Sequence, residues 1–114
     1  MPQYNEPLEF LDEETRDISR AISSLKEELD AINWYNQRVI ATKDAALKAV
    51  MAHNRDEEIE HACMALEWLR RNMDKWDQEL RTYLFADSSI IEAEENQVSD
   101  EINTSSGITI GDLK

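Results

Sequence analysis

Glu58 and His61 lie one helical turn apart in the middle of an apolar stripe, and Glu28 is the earlier carboxylate on a comparable stripe. Carboxylates and an imidazole so placed are ligands for a divalent cation, because an ionised side chain in an apolar seam costs several kcal/mol unless it is paired or bound to metal. One Glu and one Glu-x-x-His make half of the set with which a four-helix bundle holds two metal ions between its helices. A chain of 114 residues has room for two long helices and a short one, so a full set needs two copies, each giving Glu28, Glu58 and His61 across a twofold axis. Oxygen ligands with one imidazole per metal suit iron, manganese or zinc, and the spacing leaves the metal open. The other reading of Glu58 and His61 is a hydrogen-bonded pair at a dimer interface, since Glu-x-x-His also arises in Glu-rich helices that bind nothing. Glu57 and Glu60 project elsewhere, and His53 can pair with Glu57 four residues on.

The elements that must position these residues are helical. The two prolines are Pro2 and Pro7 and the two glycines Gly107 and Gly111, so nothing between residues 8 and 106 carries the marks of tight turns or hairpins. A first helix is predicted from near Pro7 to about Ala41, its seam running Leu11, Thr15, Ile18, Ile22, Leu25, Leu29, Ile32, Asn36, Val39, with Thr15 and Asn36 as polar interruptions. Glu28 falls about 60° from Leu25 at the edge of that seam, and antiparallel packing turns it toward Glu58 and His61. Thr42 is a candidate N-cap for a second helix from about Asp44 to Arg71, whose stripe holds Val50, Met51, Asn54, Glu58, His61, Ala62, Ala65, Trp68 and Leu69. A shorter helix is expected over roughly Met73 to Leu84. The fold class is therefore all-α, an antiparallel two-helix hairpin plus a short C-terminal helix, with two copies dimerising into a four-helix bundle. Residues 1–85 form the helical domain, 86–103 an acidic flexible linker free of Lys and Arg in which Ile90-Ile91-Glu-Ala-Glu-Glu can form a helical turn or two, and 104–114 an apolar, glycine-bearing tail.

A net charge of −13 excludes nucleic acid as a natural partner, since phosphate is repelled and counterion release needs Lys and Arg; cations are the better match. No stretch has the length and apolarity of a membrane span, and the start lacks a secretory pattern, so a cytoplasmic protein is expected. The single cysteine, Cys63, cannot form a disulfide within one chain. Glu27, Asp30 and Trp34 share the face of the first helix opposite Leu25, where neighbouring chains can gather an acidic cluster that draws cations in; ordinary surface acids beside an exposed tryptophan are the plainer alternative.

The runs Glu27-Glu-Leu-Asp-Ala-Ile-Asn-Trp-Tyr-Asn-Gln-Arg38 and His53-Asn-Arg-Asp-Glu-Glu-Ile-Glu-His-Ala-Cys-Met-Ala-Leu-Glu-Trp-Leu-Arg-Arg71 resemble the encapsulated ferritin family over about residues 8 to 85. The resemblance implies two-helix subunits that assemble as homodimers into a ring-shaped homodecamer. It also implies a di-iron ferroxidase centre in each dimer that oxidises ferrous iron with dioxygen. By the same resemblance Glu28, Glu58 and His61 are the iron ligands, and Tyr35 and Trp34 the aromatic residues close to the metal path. Glu27 matches one residue of the surface site where ions enter, and Asp30 stands where many members have Glu, a shorter reach for the same charge. The ending Ser105-Ser-Gly-Ile-Thr-Ile-Gly-Asp-Leu-Lys114 resembles the cargo-loading peptide of encapsulin systems. Ile108 and Ile110 can point to one side of an extended strand, Leu113 gives a further anchor, and Gly107–Lys114 is then the contact with the encapsulin shell protein.

These readings converge on an iron oxidase located in the cytoplasm inside an encapsulin nanocompartment, where the shell holds the iron. A rubrerythrin-like peroxide reductase is the enzymatic alternative, weakened because one cysteine cannot supply a four-thiolate iron site. The other is a non-catalytic helical cargo or scaffold protein whose Glu58 and His61 only pair.

Overall fold

Asp12 opens the first long helix. Its backbone is extended (φ −72°, ψ 172°) and its carboxylate accepts from the Thr15 N–H at 2.8 Å, so that α1 runs Glu13–Ala41 with Glu13 and Glu14 complementing the positive end of its dipole. The same hydrogen bonds from Thr15 hold the Asp12 carboxyl below the usual carboxylate range. Pro7 does not begin this helix. It precedes a single 3-10 turn over Leu8–Phe10, which the Arg16 guanidinium braces by donating to the Leu8 carbonyl at 2.5 Å. A computed structural model describes residues 4–107 of the chain, and its side chains over residues 4–99.

The chain divides into two units, one through Met73 and one from Asp74 onward. In the first, α1 turns back through Thr42, Lys43 and Asp44 into α2, Ala45–Asn72. Asp44 is the cap: its carboxylate accepts from the Leu47 N–H at 2.7 Å, while the Thr42 hydroxyl accepts from the Asp44 N–H at 3.2 Å and stiffens the turn. Glu28 meets His61 and Asn36 meets Arg55, an order that runs opposite ways along the two helices and makes the pair antiparallel.

Val39, Ala62 and Leu69 are the buried residues of this hairpin, Leu69 completely so. Around them a broad apolar surface stays open: Ile22, Leu29, Val50, Ile59 and Met64 are all exposed. Two helices have too little mutual surface to cover two apolar faces. The seam also sits slightly differently from the expected one. Glu28 is half-buried while Leu29 is 53% exposed, so Glu28 faces the partner helix and Leu29 flanks it.

At the end of α2, Arg70 and Arg71 both donate to Glu67 at 2.6–2.9 Å, which pulls the Glu67 carboxyl down to about 2 and places positive charge at the negative end of the helix dipole. The Met73 N–H still donates to the Leu69 carbonyl at 2.9 Å, but its own backbone is extended (φ −139°, ψ 109°), which closes the helix.

The second unit holds α3, Asp74–Tyr83, packed with α4, Ile90–Gly107. With no glycine to end α3, Phe85 takes the left-handed conformation (φ 60°) that glycine usually supplies. The fourth helix corrects the expectation of a flexible linker over 86–103. Ser89 and Glu92 make a reciprocal capping box, the Glu92 N–H donating to Ser89 Oγ at 3.2 Å and the Ser89 N–H to Glu92 Oε1 at 3.1 Å. Ala93 is buried, so one apolar face outweighs the acidity that argued for a linker. Every regular element among the described residues is helical, which agrees with the all-α class, and no described helix is long and apolar enough to cross a membrane. The tail over Ile108–Lys114 lies outside the described residues.

Candidate metal centre

Glu28 leaves α1 in the middle of its length, and Glu58 and His61 leave α2 one turn apart, so two stiff helices rather than loops fix all three side chains. His61 Nδ1 lies 3.2 Å from Glu58 Oε1 on its own helix and 3.5 Å from Glu28 Oε2 across the hairpin. One ligand atom from each of the three falls within 4.8 Å of the others. Both glutamates are well covered, each side chain 24% exposed, while His61 at 43% looks outward.

Glu28 Oε2 is buried and, among the described residues, accepts no hydrogen bond of good geometry, with His61 Nδ1 standing off at 3.5 Å. Removal from water is the first cause that raises the Glu28 pKa above the ordinary glutamate value; the neighbouring Glu58 carboxyl adds to it, and His61 opposes it. An acceptor oxygen stripped of water and given no donor is unfavourable for the protein alone. A cation placed among Glu28, Glu58 and His61 would answer that oxygen, and hard carboxylates with one imidazole suit a ferrous ion, so the residues fit an iron site in chemistry and position.

The remaining expected residues fall elsewhere on α1. Glu27 and Asp30 are exposed and join no such ligand group among the described residues, and Trp34 is 54% exposed. Tyr35, half-buried, follows Glu28 by two turns on the same face, with the Arg38 guanidinium carbon 5.2 Å from its ring centroid. The hairpin also brings in a pair that the periodicity does not single out. Arg55 Nη1 donates to Asn36 Oδ1 at 3.0 Å and Arg55 Nε to Asp56 Oδ1 at 3.1 Å. The signal for it was Asn36 itself, a polar break in the seam with a long donor opposite.

The chain matches the EncFtn-like family over residues 3–87. It is 52% identical over 111 residues to the ferritin-like protein of Thermotoga maritima, with 97% of each chain covered. Identity to the encapsulated ferritin-like protein of Rhodospirillum rubrum is 60% over 86 residues, which covers 75% of this chain and 61% of that one. The encapsulin nanocompartment cargo protein EncC of Myxococcus xanthus is 38% identical over 77 residues, 62% of this chain and 57% of its own. Among solved structures, protein ne0167 from Nitrosomonas europaea superposes with a TM-score of 0.74 at 59% identity, covering 76% of this chain and 96% of that one. On these matches the chain belongs to the EncFtn-like family, the encapsulated ferritins.

Proposed function

We propose that this protein is a ferroxidase that oxidises Fe(II) to Fe(III) with dioxygen at a di-iron centre shared by two subunits, and that it delivers the iron for storage inside an encapsulin shell. The observation that carries the reading is the meeting of Glu28, Glu58 and His61, with a buried Glu28 oxygen that accepts no hydrogen bond among the described residues. Membership in a family whose relatives are named as encapsulated ferritin-like and encapsulin cargo proteins supports both the iron chemistry and the location.

Iron is the substrate here. Two ferrous ions held side by side can give two electrons to one dioxygen. Glu28 and Glu58 supply negative charge that favours the ferric over the ferrous ion, and His61 completes the set with a neutral donor. Three ligands per chain leave the centre half built. A second copy facing the first supplies the other half, and the open apolar surface of the hairpin gives that copy something to bury. Further pairing of such dimers into a ten-subunit ring is part of the same reading. Glu27 and Asp30 draw cations toward the centre, Trp34 lines their way, and Tyr35 is the aromatic neighbour of the reacting ions. Gly107–Lys114 docks to the shell.

Anaerobic titration with Fe(II) tests the centre before any oxidation occurs. About one ion per chain should bind to the wild type, and Glu58→Ala should abolish tight binding. Equal binding by both proteins would remove the centre from these residues. Co-expression with a shell protein, with and without residues 107–114, tests the location: loading that survives the deletion would contradict the role given to the tail.

A further inference from the structure

Arg55 stands three residues before Glu58 on α2, a spacing at which a guanidinium and a carboxylate on one helix ordinarily pair. They do not pair here. Arg55 donates through Nε to Asp56 Oδ1 at 3.1 Å and through Nη1 to Asn36 Oδ1 of α1 at 3.0 Å, and among the described residues no ion pair joins it to Glu58. Glu58 keeps its 3.2 Å contact with His61 instead.

The difference bears on metal binding. A guanidinium is permanently charged and carries five N–H donors in a rigid fork, so on Glu58 it would occupy the lone pairs a cation needs and set a positive charge beside that cation. Arg55 is close enough along the helix to do this, and its side chain is only 27% exposed, so solvent competes weakly for it. Two acceptors, one on each helix, draw it the other way. The one on α1 is an amide, which takes the N–H without adding a further carboxylate next to Glu28 and Glu58. This hydrogen bond gives the polar break at Asn36 a partner across the hairpin.

We propose that Asn36 and Asp56 are positioning residues for Arg55: they hold its guanidinium away from Glu58, so that the Glu58 carboxylate stays free for a divalent cation. The inference rests on the metal-centre reading of Glu28, Glu58 and His61, and deepens it.

Co(II) is a suitable probe, because its visible absorption reports both occupancy and ligand geometry without turnover. The full-length protein is titrated with Co(II) as wild type, as Asn36→Ala/Asp56→Ala, as the same pair combined with Arg55→Met, and as Arg55→Met alone. The pair should weaken Co(II) binding roughly fivefold, the upper end for releasing a half-exposed ion pair. Adding Arg55→Met should restore wild-type affinity with an unchanged spectrum, and Arg55→Met alone should bind at least as tightly as wild type. If the pair binds like wild type, or is weakened and not rescued by Arg55→Met, the inference is overturned, because lost helix packing is not repaired by removing a guanidinium. Arg55→Met alone remains decisive should the paired variant not fold: weaker binding by this single variant overturns the inference too. No Co(II) binding by the wild type would overturn the metal-centre reading beneath it.

Discussion

Glu28 Oε2 of α1 stands 3.5 Å from His61 Nδ1 of α2, and through this contact the two helices of one hairpin bring their ligands together. Of the three candidate ligands, α1 carries only Glu28 and α2 only the Glu58 and His61 pair. Whatever keeps α1 and α2 in register therefore also keeps the candidate centre intact.

The buried Glu28 oxygen should be visible in the stability of the metal-free protein. Its pKa in the fold lies above the ordinary 4.5, so the charged form opposes folding at neutral pH, and that penalty fades as pH falls through the folded-state value and is gone below 4.5. In the presence of a chelator, Glu28→Gln should raise the thermal midpoint at pH 7, with the gain shrinking as the solution is acidified. A midpoint at pH 7 equal to or below that of wild type would show that this carboxylate is not held at a cost.

Leu69 is fully buried at the end of α2 nearest the start of α1. Leu69→Ala should destabilise the hairpin by about 2–5 kcal/mol, the range for truncating a core leucine. Urea unfolding at fixed protein concentration measures this, and a loss under 1 kcal/mol would mean that the hairpin is not held through that residue.

Ser89 and Glu92 make the start of α4. Ser89→Ala should remove about 1 kcal/mol from that helix end. Hydrogen exchange over the backbone of residues 90–95 should then quicken roughly fivefold. Unchanged exchange there would remove the capping box as the reason this acidic segment is helical.

Much of this was legible beforehand, for physical reasons that differ by residue. The alternation of apolar residues from Ile18 to Val39 and the absence of Gly and Pro fixed two long helices, and a Glu-x-x-His inside a stripe singled out Glu58 and His61. The helix starts were harder, because Pro7, Thr42 and Asp44 are all acceptable near a first turn. Only the hydrogen bonds to Thr15 and Leu47 show that the aspartates do the capping. Glu28 meets Glu58 and His61 as its place at the seam edge implies, whereas Leu29, a seam residue by its apolar spacing, is 53% exposed. Composition weighs charge and so points to a linker where α4 stands, whereas Ser89, Glu92 and Ala93 act through position. Arg55 was legible only through Asn36, a polar break in the seam: its two partners sit on different helices, and which of several acidic neighbours it chooses depends on the packing.

Glu27 and Asp30 are exposed on the outer face of α1 and should act through charge alone. Glu27→Gln/Asp30→Asn should slow the initial rate of iron oxidation roughly two- to threefold at low ionic strength, with the difference vanishing at high salt and the number of bound ions unchanged. A salt-independent loss would place these residues among the ligands.

The most direct measurement adds Fe(II) to the purified protein without oxygen, admits air, and follows ferric absorbance for the wild type and for Glu28→Ala/Glu58→Ala/His61→Ala. Rapid oxidation by the wild type, with the variant no faster than buffer, is the expected result. Equal rates for the two proteins would contradict a ferroxidase centre built from Glu28, Glu58 and His61.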